Sequence, residues 1–331
     1  MQEYIPPFTI TNEILDRTSS IMKKIGQLDS YNNLNKMPVL RRDNRIKSIH
    51  SSLAIEANSL SLEQVEDVIE GKLVIGPQKE IQEVKNAYNA YSKINEVDPY
   101  SIEDLKKVHG IMTYLTVGES GKFRKGNEGV FNEDGTCVHV CPPPNQINFL
   151  MEELFNWMKK NKDQIHPLIL SSVFHYEFVF IHPFEDGNGR TARLWQNVIL
   201  SSWEKIFEYL PIESEIKKYQ EEYYSAIREC NISGESTRFI EFMLQMIDEV
   251  LIGLISSFNG QFNYTSDYVK KLLDVMVPGV QYTTYELMEL LNMKSRSSFR
   301  NNYLLPAIQG EMIKMTYPDS VTNKNQKYYK C

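Results

Sequence analysis

Apolar residues recur three and four positions apart along most of this chain, the spacing of one helix face. Ile14, Ile21, Met22 and Ile25 form such a stripe over 11–28, with Thr11 and Asn12 ahead of it as capping residues. Residues 44–57 continue the pattern. Ser61-Leu62-Glu63-Gln64 opens a third helix, its serine followed three places later by glutamine as in a capping box. Further helices are predicted over 78–95 and 101–114, separated by Asp98-Pro99. The period then changes. Val130-Phe131, a Glu133-Asp134-Gly135 turn and Thr136-Cys137-Val138-His139-Val140 read as a β-hairpin, because glycine accepts the positive φ of a tight turn. Cys141-Pro142-Pro143-Pro144 ends it, since proline cannot continue a ladder. Helical spacing returns at 145–160, 165–181, 188–203, 214–230 and 235–258. The fold class is therefore mainly α, a helical core interrupted by one hairpin.

Residues 259–265 read as a linker. Beyond it the chain offers helices at 266–276, 283–291 and 295–309, then strand-like 312–317 and 327–330. That order resembles a small winged helix-turn-helix domain. The charge balance changes there too. The whole chain carries −7, but 264–331 holds nine Lys/Arg against six Asp/Glu. An acidic chain does not coat nucleic acid throughout, although Lys294, Arg296 and Arg300 around the candidate recognition helix leave DNA open as a partner. The 331 residues suffice for two or three domains. The four cysteines form no CxxC pair, and neither a signal peptide nor a membrane-spanning run is seen, so the expected compartment is the cytoplasm.

The chemistry concentrates in His182-Pro183-Phe184-Glu185-Asp186-Gly187-Asn188-Gly189-Arg190. Ile169, Leu170, Val173, Phe174, Phe178 and Val179 predict an apolar helix before it, and Pro183 should end that helix. A new helix then begins near Arg190. A helix N-terminus presents unpaired N–H groups to an anion, and Gly187 and Gly189 let the backbone approach it. Arg190 and Arg193, three apart, can reach the same anion. Asp186 offers one hard oxygen ligand, enough for Mg²⁺ when phosphates supply others. His182 can take a proton from a hydroxyl. Base, metal ligand, anion cradle and two guanidiniums describe phosphoryl or nucleotidyl transfer. His175 lies seven residues before His182, but no third ligand accompanies the two, so it reads as a packing residue.

The run from His182 to Arg193 is similar to the signature of the Fic (filamentation-induced-by-cAMP) family, and Gly121-Lys122-Phe123-Arg124 and the hairpin resemble its wider context. The resemblance spans roughly 5–260. It implies a protein adenylyltransferase that moves AMP from ATP to a Ser, Thr or Tyr hydroxyl, itself included, with Mg²⁺. In that picture His182 is the general base and Asp186 the metal ligand. Gly187, Asn188, Gly189 and Arg190 hold phosphates, and Arg193 the γ-phosphate. Phe184 points into the core and anchors the loop. Tyr224 and Asn231 contact adenine. The hairpin is a flap on which Thr136, Val138 and Val140 dock the target by strand addition. It also implies four segments: an N-terminal helical region over 1–98, a catalytic core over 99–258, the linker over 259–265, and the tail over 266–331.

Ser51-Ser52-Leu53-Ala54-Ile55-Glu56-Ala57-Asn58 resembles the family's inhibitory helix, S/T-x-x-x-E-G/N. Ser52 and Glu56, four apart, share a helix face, and Glu56 would pair with Arg193 where the γ-phosphate belongs. Here Ala57 replaces the Gly or Asn of the pattern. The alternative from another class is a DNA-binding regulator using 264–331, with the core as a nucleotide sensor. Homo-oligomerisation is left open.

Overall fold

The computed structural model describes residues 4–30, 38–131, 137–263, 267–293, 295–309, 312–318, 323 and 326–330. The chain divides into two units, Met1–Ile252 and Gly253–Cys331. No helix among the described residues is long and apolar enough to cross a membrane.

The first unit is built from α1 (Asn12–Ser30), α2 (Pro38–Ile55), α3 (Leu62–Ile69), α4 (Gln78–Tyr91), α5 (Ile102–Met112), β1 (Gly129–Phe131), β2 (Cys137–Val140), α6 (Ile147–Asn161), α7 (Pro167–Ile181), α8 (Asn188–Trp203), α9 (Ile212–Lys218), α10 (Gln220–Ser233) and most of α11 (Thr237–Asn263). The capping box read at Ser61 is present in both arms. Helices α7 and α8 form the centre. Trp195, Phe174, Phe178, Leu194 and Val198 are among their fully buried residues. Around this pair α2 packs on α4, α8 and α9, and α6 packs on α7.

Three expected elements differ. The helix expected over 214–230 is two, with Tyr219 between them at φ −111°, ψ 41°, outside the helical region. The expected linker at 259–263 is helical, because α11 runs on to Asn263. Once a helix is running, each added residue gains a hydrogen bond, which overrides the weak propensity of Asn259 and Gly260. Residues 264–266 lie outside the described residues. Helix α2 stops at Ile55 rather than continuing to 57, so Glu56 sits in the turn that closes it.

The hairpin is antiparallel. Gly129 pairs with Val140, Val130 with His139 and Phe131 with Cys137, the register slipping between Val130 and Phe131. Its turn, Thr136 included, lies outside the described residues.

The second unit holds α12 (Asp267–Val275), α13 (Thr284–Leu290), α14 (Arg296–Phe299), a π turn (Arg300–Leu304), α15 (Leu305–Gln309) and the antiparallel strands β3 (Ile313–Met315) and β4 (Tyr328–Lys330). Val269, Leu272, Leu287, Phe299 and Ile313 make a core of its own. Arg296 and Arg300 are exposed, and Lys294 lies outside the described residues.

Candidate active site

Pro183 cannot continue α7, and the chain leaves that helix through His182 in the left-handed region at φ 50°. A histidine there is strained and must be held. Arg124 holds it. Its Nε donates to the His182 carbonyl at 2.7 Å, and its terminal nitrogens donate to Gly126 (2.7 Å) and Pro142 (2.6 Å), on either side of the hairpin. The hairpin and the loop after α7 therefore share one guanidinium. His139 of β2 adds a second tie, donating from Nε2 to the Phe180 carbonyl at 2.7 Å. Two of the residues expected on a flap fall on this element: Val140 is 79% exposed, and Val138 is the β2 residue at the register slip.

A carbonyl can only accept, so the contact of His182 Nδ1 with Val179 O at 3.3 Å places a proton on Nδ1. Nε2 keeps its lone pair. Burial, with Arg124 and His139 nearby, pushes the imidazole below its ordinary value and so keeps it neutral near pH 7. This is the protonation state a general base needs.

The loop from 183 to 187 is stapled internally. Asn188 accepts from Phe184 N–H at 3.0 Å and donates to Phe184 O at 2.8 Å. Its side chain is thus committed, leaving only its backbone for the phosphate role expected of it. Phe184 is fully buried and anchors the loop, as expected. Gly187 caps α8 at φ 81°, where a side chain would strain the backbone. A Cβ on Gly189 would run into the Glu56 carboxylate. The α8 N-terminus is therefore open to an anion, and Glu56 presents one there.

Arg193, 2% exposed, donates from Nε to Ser52 Oγ (3.0 Å) and from Nη2 to Ser52 O (2.9 Å) and Glu56 Oε1 (2.8 Å). Burial opposes its charge, and Glu56 more than restores it, so its pKa lies above the usual value. The expected Glu56–Arg193 pair is thus formed, and Ser52, expected on the same helix face, joins it. Arg190 is engaged elsewhere, with Glu83 at 3.2 Å and Asp186 at 3.0 Å, and Glu83 also accepts from Asn58 at 2.9 Å.

Burial works against ionisation of Asp186, but the Arg190 guanidinium, the Gly187 N–H and Lys79 outweigh it and hold the carboxyl below its usual range. Both internal hydrogen bonds, from Gly187 N at 2.5 Å and Arg190 Nη2 at 3.0 Å, use Oδ1. The side chain is 45% exposed. Oδ2 is therefore an available hard oxygen, which fits a Mg²⁺ that takes its other ligands from phosphate and water. Among the described residues no three His, Cys, Asp or Glu converge on a point.

Tyr224 is 38% exposed, and burial and the nearby Glu56 charge raise its pKa, which places it beside the same site. Asn231, two turns further along α10, accepts from Tyr176 Oη at 3.0 Å. His175 binds Gln196 (2.6 Å) and Tyr223 (2.9 Å) through its two ring nitrogens, and burial pushes it down to about 3, so it is a packing residue.

Sequence reasoning missed the supports: the buried Arg124, as a clamp, and His109, and the half-buried Glu83, Lys217 and Gln220. Lys217 donates to Ala54 O at 2.9 Å and Gln220 to Ile55 O at 3.2 Å, capping the last carbonyls of α2. Only Arg124 carried a signal, as part of Gly121–Arg124.

Comparisons with known proteins point one way. Residues 99–200 match the model of the Fic/DOC family, and 267–329 match that of the Filamentation induced by cAMP protein Fic-like, C-terminal domain. The chain is similar to proteins named "Protein adenylyltransferase Fic". That of Culex quinquefasciatus is 27% identical over 248 residues, 72% of this chain and 46% of that one. That of Nematostella vectensis is 27% identical over 262 residues, 75% of this chain and 57% of that one. The chain thus spans about half the length of the curated relatives it matches. A Fic family protein from Desulfovibrio desulfuricans superposes with a TM-score of 0.74 at 39% identity, covering 99% of this chain and 98% of that one. Fic-1 from C. elegans shares the fold, with a TM-score of 0.61 at 23% identity over 74% of each chain.

Proposed function

Because this chain belongs to the Fic family, we propose that it is a protein adenylyltransferase, moving AMP from ATP to a Ser, Thr or Tyr hydroxyl of a protein, itself included. One observation carries the reading: a neutral base, His182, stands at the mouth of an anion cradle whose arginine is held by a carboxylate of the same chain.

In the reaction the target hydroxyl oxygen bonds to the α-phosphorus. Its proton passes to His182 Nε2. The bond between the α-phosphorus and its bridging oxygen breaks, and pyrophosphate leaves with the electron pair. The backbone N–H groups of Asn188 and Gly189 at the α8 N-terminus, and the close approach that Gly187 allows, support the phosphates. Arg193 receives the γ-phosphate once Glu56 withdraws, and Arg190 contributes charge beside it. Asp186 would hold the Mg²⁺, which neutralises phosphate charge when bound. Tyr224 and Asn231 flank the base. The hairpin aligns an extended target segment through its backbone.

Glu56 restrains this activity, because an anion at Arg193 and Gly189 competes with the γ-phosphate for the same donors. Incubation of the wild type, Glu56→Gly and Glu56→Gly/His182→Ala with labelled ATP, Mg²⁺ and a lysate tests the reading. Labelling should rise with Glu56→Gly and disappear with His182→Ala. A folded Glu56→Gly protein that labels nothing, itself included, refutes it. The shared name of the relatives favours transfer over a DNA-binding regulator that keeps the core only as a sensor.

A further inference from the structure

We propose that His109 is a positioning residue for the reaction: it fixes the Asp186–Gly187 peptide so that the Asp186 carboxylate faces outward to serve a divalent cation. The role of Asp186 in this inference rests on the transfer reading above.

His109 lies on α5 and is fully buried. Its ring stacks on Phe184 of the catalytic loop, with centroids 3.6 Å apart and planes 7° from parallel. Nδ1 receives the Gly121 N–H at 3.0 Å. An amide N–H can only donate, so Nδ1 is unprotonated and Nε2 carries the proton. Nε2 then donates to the Asp186 carbonyl at 2.8 Å. The stack sets the ring plane and the two bonds set its rotation, so one side chain joins Gly121 to the loop.

The fit leaves little latitude. A Cβ at Gly187 would meet Thr113 Cγ2 at 2.7 Å and His109 Nε2 at 3.4 Å, so the loop backbone is pressed against α5. With its carbonyl turned inward to His109, Asp186 directs its side chain to the open side, where it is 45% exposed. A leucine or phenylalanine would fill the same volume. Neither would satisfy a backbone donor and a backbone acceptor at once, and leaving such groups unpaired is costly. The imidazole is therefore set by what it holds rather than by the volume it fills.

The test uses the full chain in the Glu56→Gly background, with His109→Gln, His109→Asn and His109→Ala. Glutamine can present an N–H where Nε2 lies. Asparagine can present only an acceptor where Nδ1 lies. Calorimetric ATP binding is measured in chelator and across a Mg²⁺ titration, beside AMP transfer and thermal unfolding. His109→Ala and His109→Asn should bind ATP without metal as the parent does, yet lose on the order of tenfold in Mg²⁺-promoted binding and in kcat, the loss typical when a group orienting a metal ligand is removed. His109→Gln should recover most of both. An unchanged Mg²⁺ response in His109→Ala overturns the proposal. So does rescue by asparagine rather than glutamine, equal loss of metal-free binding in all three variants, or failure of all three to fold. If the parent itself transfers no AMP, the transfer reading fails, while the Mg²⁺ titration of ATP binding still decides the role of His109.

Discussion

Ala57 is the residue whose identity and conformation disagree most. It sits at φ 65° just past α2. Its N–H donates to Ala54 O at 3.3 Å and the Asn58 N–H to Leu53 O at 3.1 Å, the two bonds of a Schellman cap. That position favours glycine, then asparagine, which is the physical content of the Gly or Asn in the inhibitory pattern. Alanine strains it by about 1 kcal/mol. Ala57→Gly should therefore tighten the turn that carries Glu56 and lower basal transfer roughly fivefold, the ratio that corresponds to about 1 kcal/mol. In the Glu56→Gly background the same change should leave activity alone. Initial rates of the four proteins decide this, and equal rates with and without Ala57→Gly would count against a strained brake. At His182 the lowered pKa has a direct consequence. The base must be neutral, so kcat/KM should hold down to pH 6.5 and fall only below it. A pH–rate profile of Glu56→Gly with its acid limb above pH 7 would contradict a buried imidazole held neutral.

At the scale of elements, the segment before α1 is laced to the centre of the first unit. Ser236 N–H donates to Pro7 O at 2.9 Å, and Tyr4 donates to Glu177 of α7 at 2.7 Å. Glu177 is buried, and burial pushes its carboxyl up to about 7. The folded state thus holds this proton more tightly than the unfolded chain does. The linked stability is complete below the unfolded value near 4.5 and is lost as pH rises through 7. Glu177→Gln should stabilise the protein by roughly 2–3 kcal/mol at pH 8 and hardly at all at pH 4.5. Thermal unfolding across that range checks it, and a stability difference independent of pH would refute it. The elements themselves were largely legible: apolar spacing located most helices of the first unit, and the Asp-Gly signal located the hairpin. The break at Tyr219 was not legible, because 214–230 keeps one helical rhythm while α9 packs on α2 and α10 lies across the Glu56 turn.

For the whole molecule, the proposed brake depends on residues far apart in sequence. Ser52 and Glu56 meet Arg193 across the packing of α2 on α8 and α9, and Lys217 and Gln220 hold the end of α2. With Glu56 in the cradle, ATP·Mg should bind weakly. Removing it should make nucleotide a better ligand of the folded state, adding on the order of 2 kcal/mol at ligand concentrations well above Kd, or roughly 5 °C in Tm for a unit of this size. Differential scanning of the wild type and Glu56→Gly, each with and without ATP·Mg, measures that difference. An equal shift in both would mean that the carboxylate does not compete with nucleotide.

The sequence by itself determined the helical class, the hairpin and the chemical inventory from His182 to Arg193, because helix periodicity, turn chemistry and a contiguous motif are local properties. By resemblance it also marked Glu56 as the partner of Arg193, with Ser52 on the same helix face. Tertiary structure decided how those groups are set. It turned His182 left-handed and tied its carbonyl to Arg124, committed the Asn188 side chain to the Phe184 backbone, and engaged Arg190 with Glu83. It also placed Glu56 in a turn rather than on the helix proper. These outcomes follow from the satisfaction of buried backbone groups and buried charges by partners tens of residues away, which no local spacing encodes. His182 to Arg193 therefore states what chemistry is at hand, and the packing of α2, α5 and α8 states which groups hold it in place and which carboxylate pairs with Arg193.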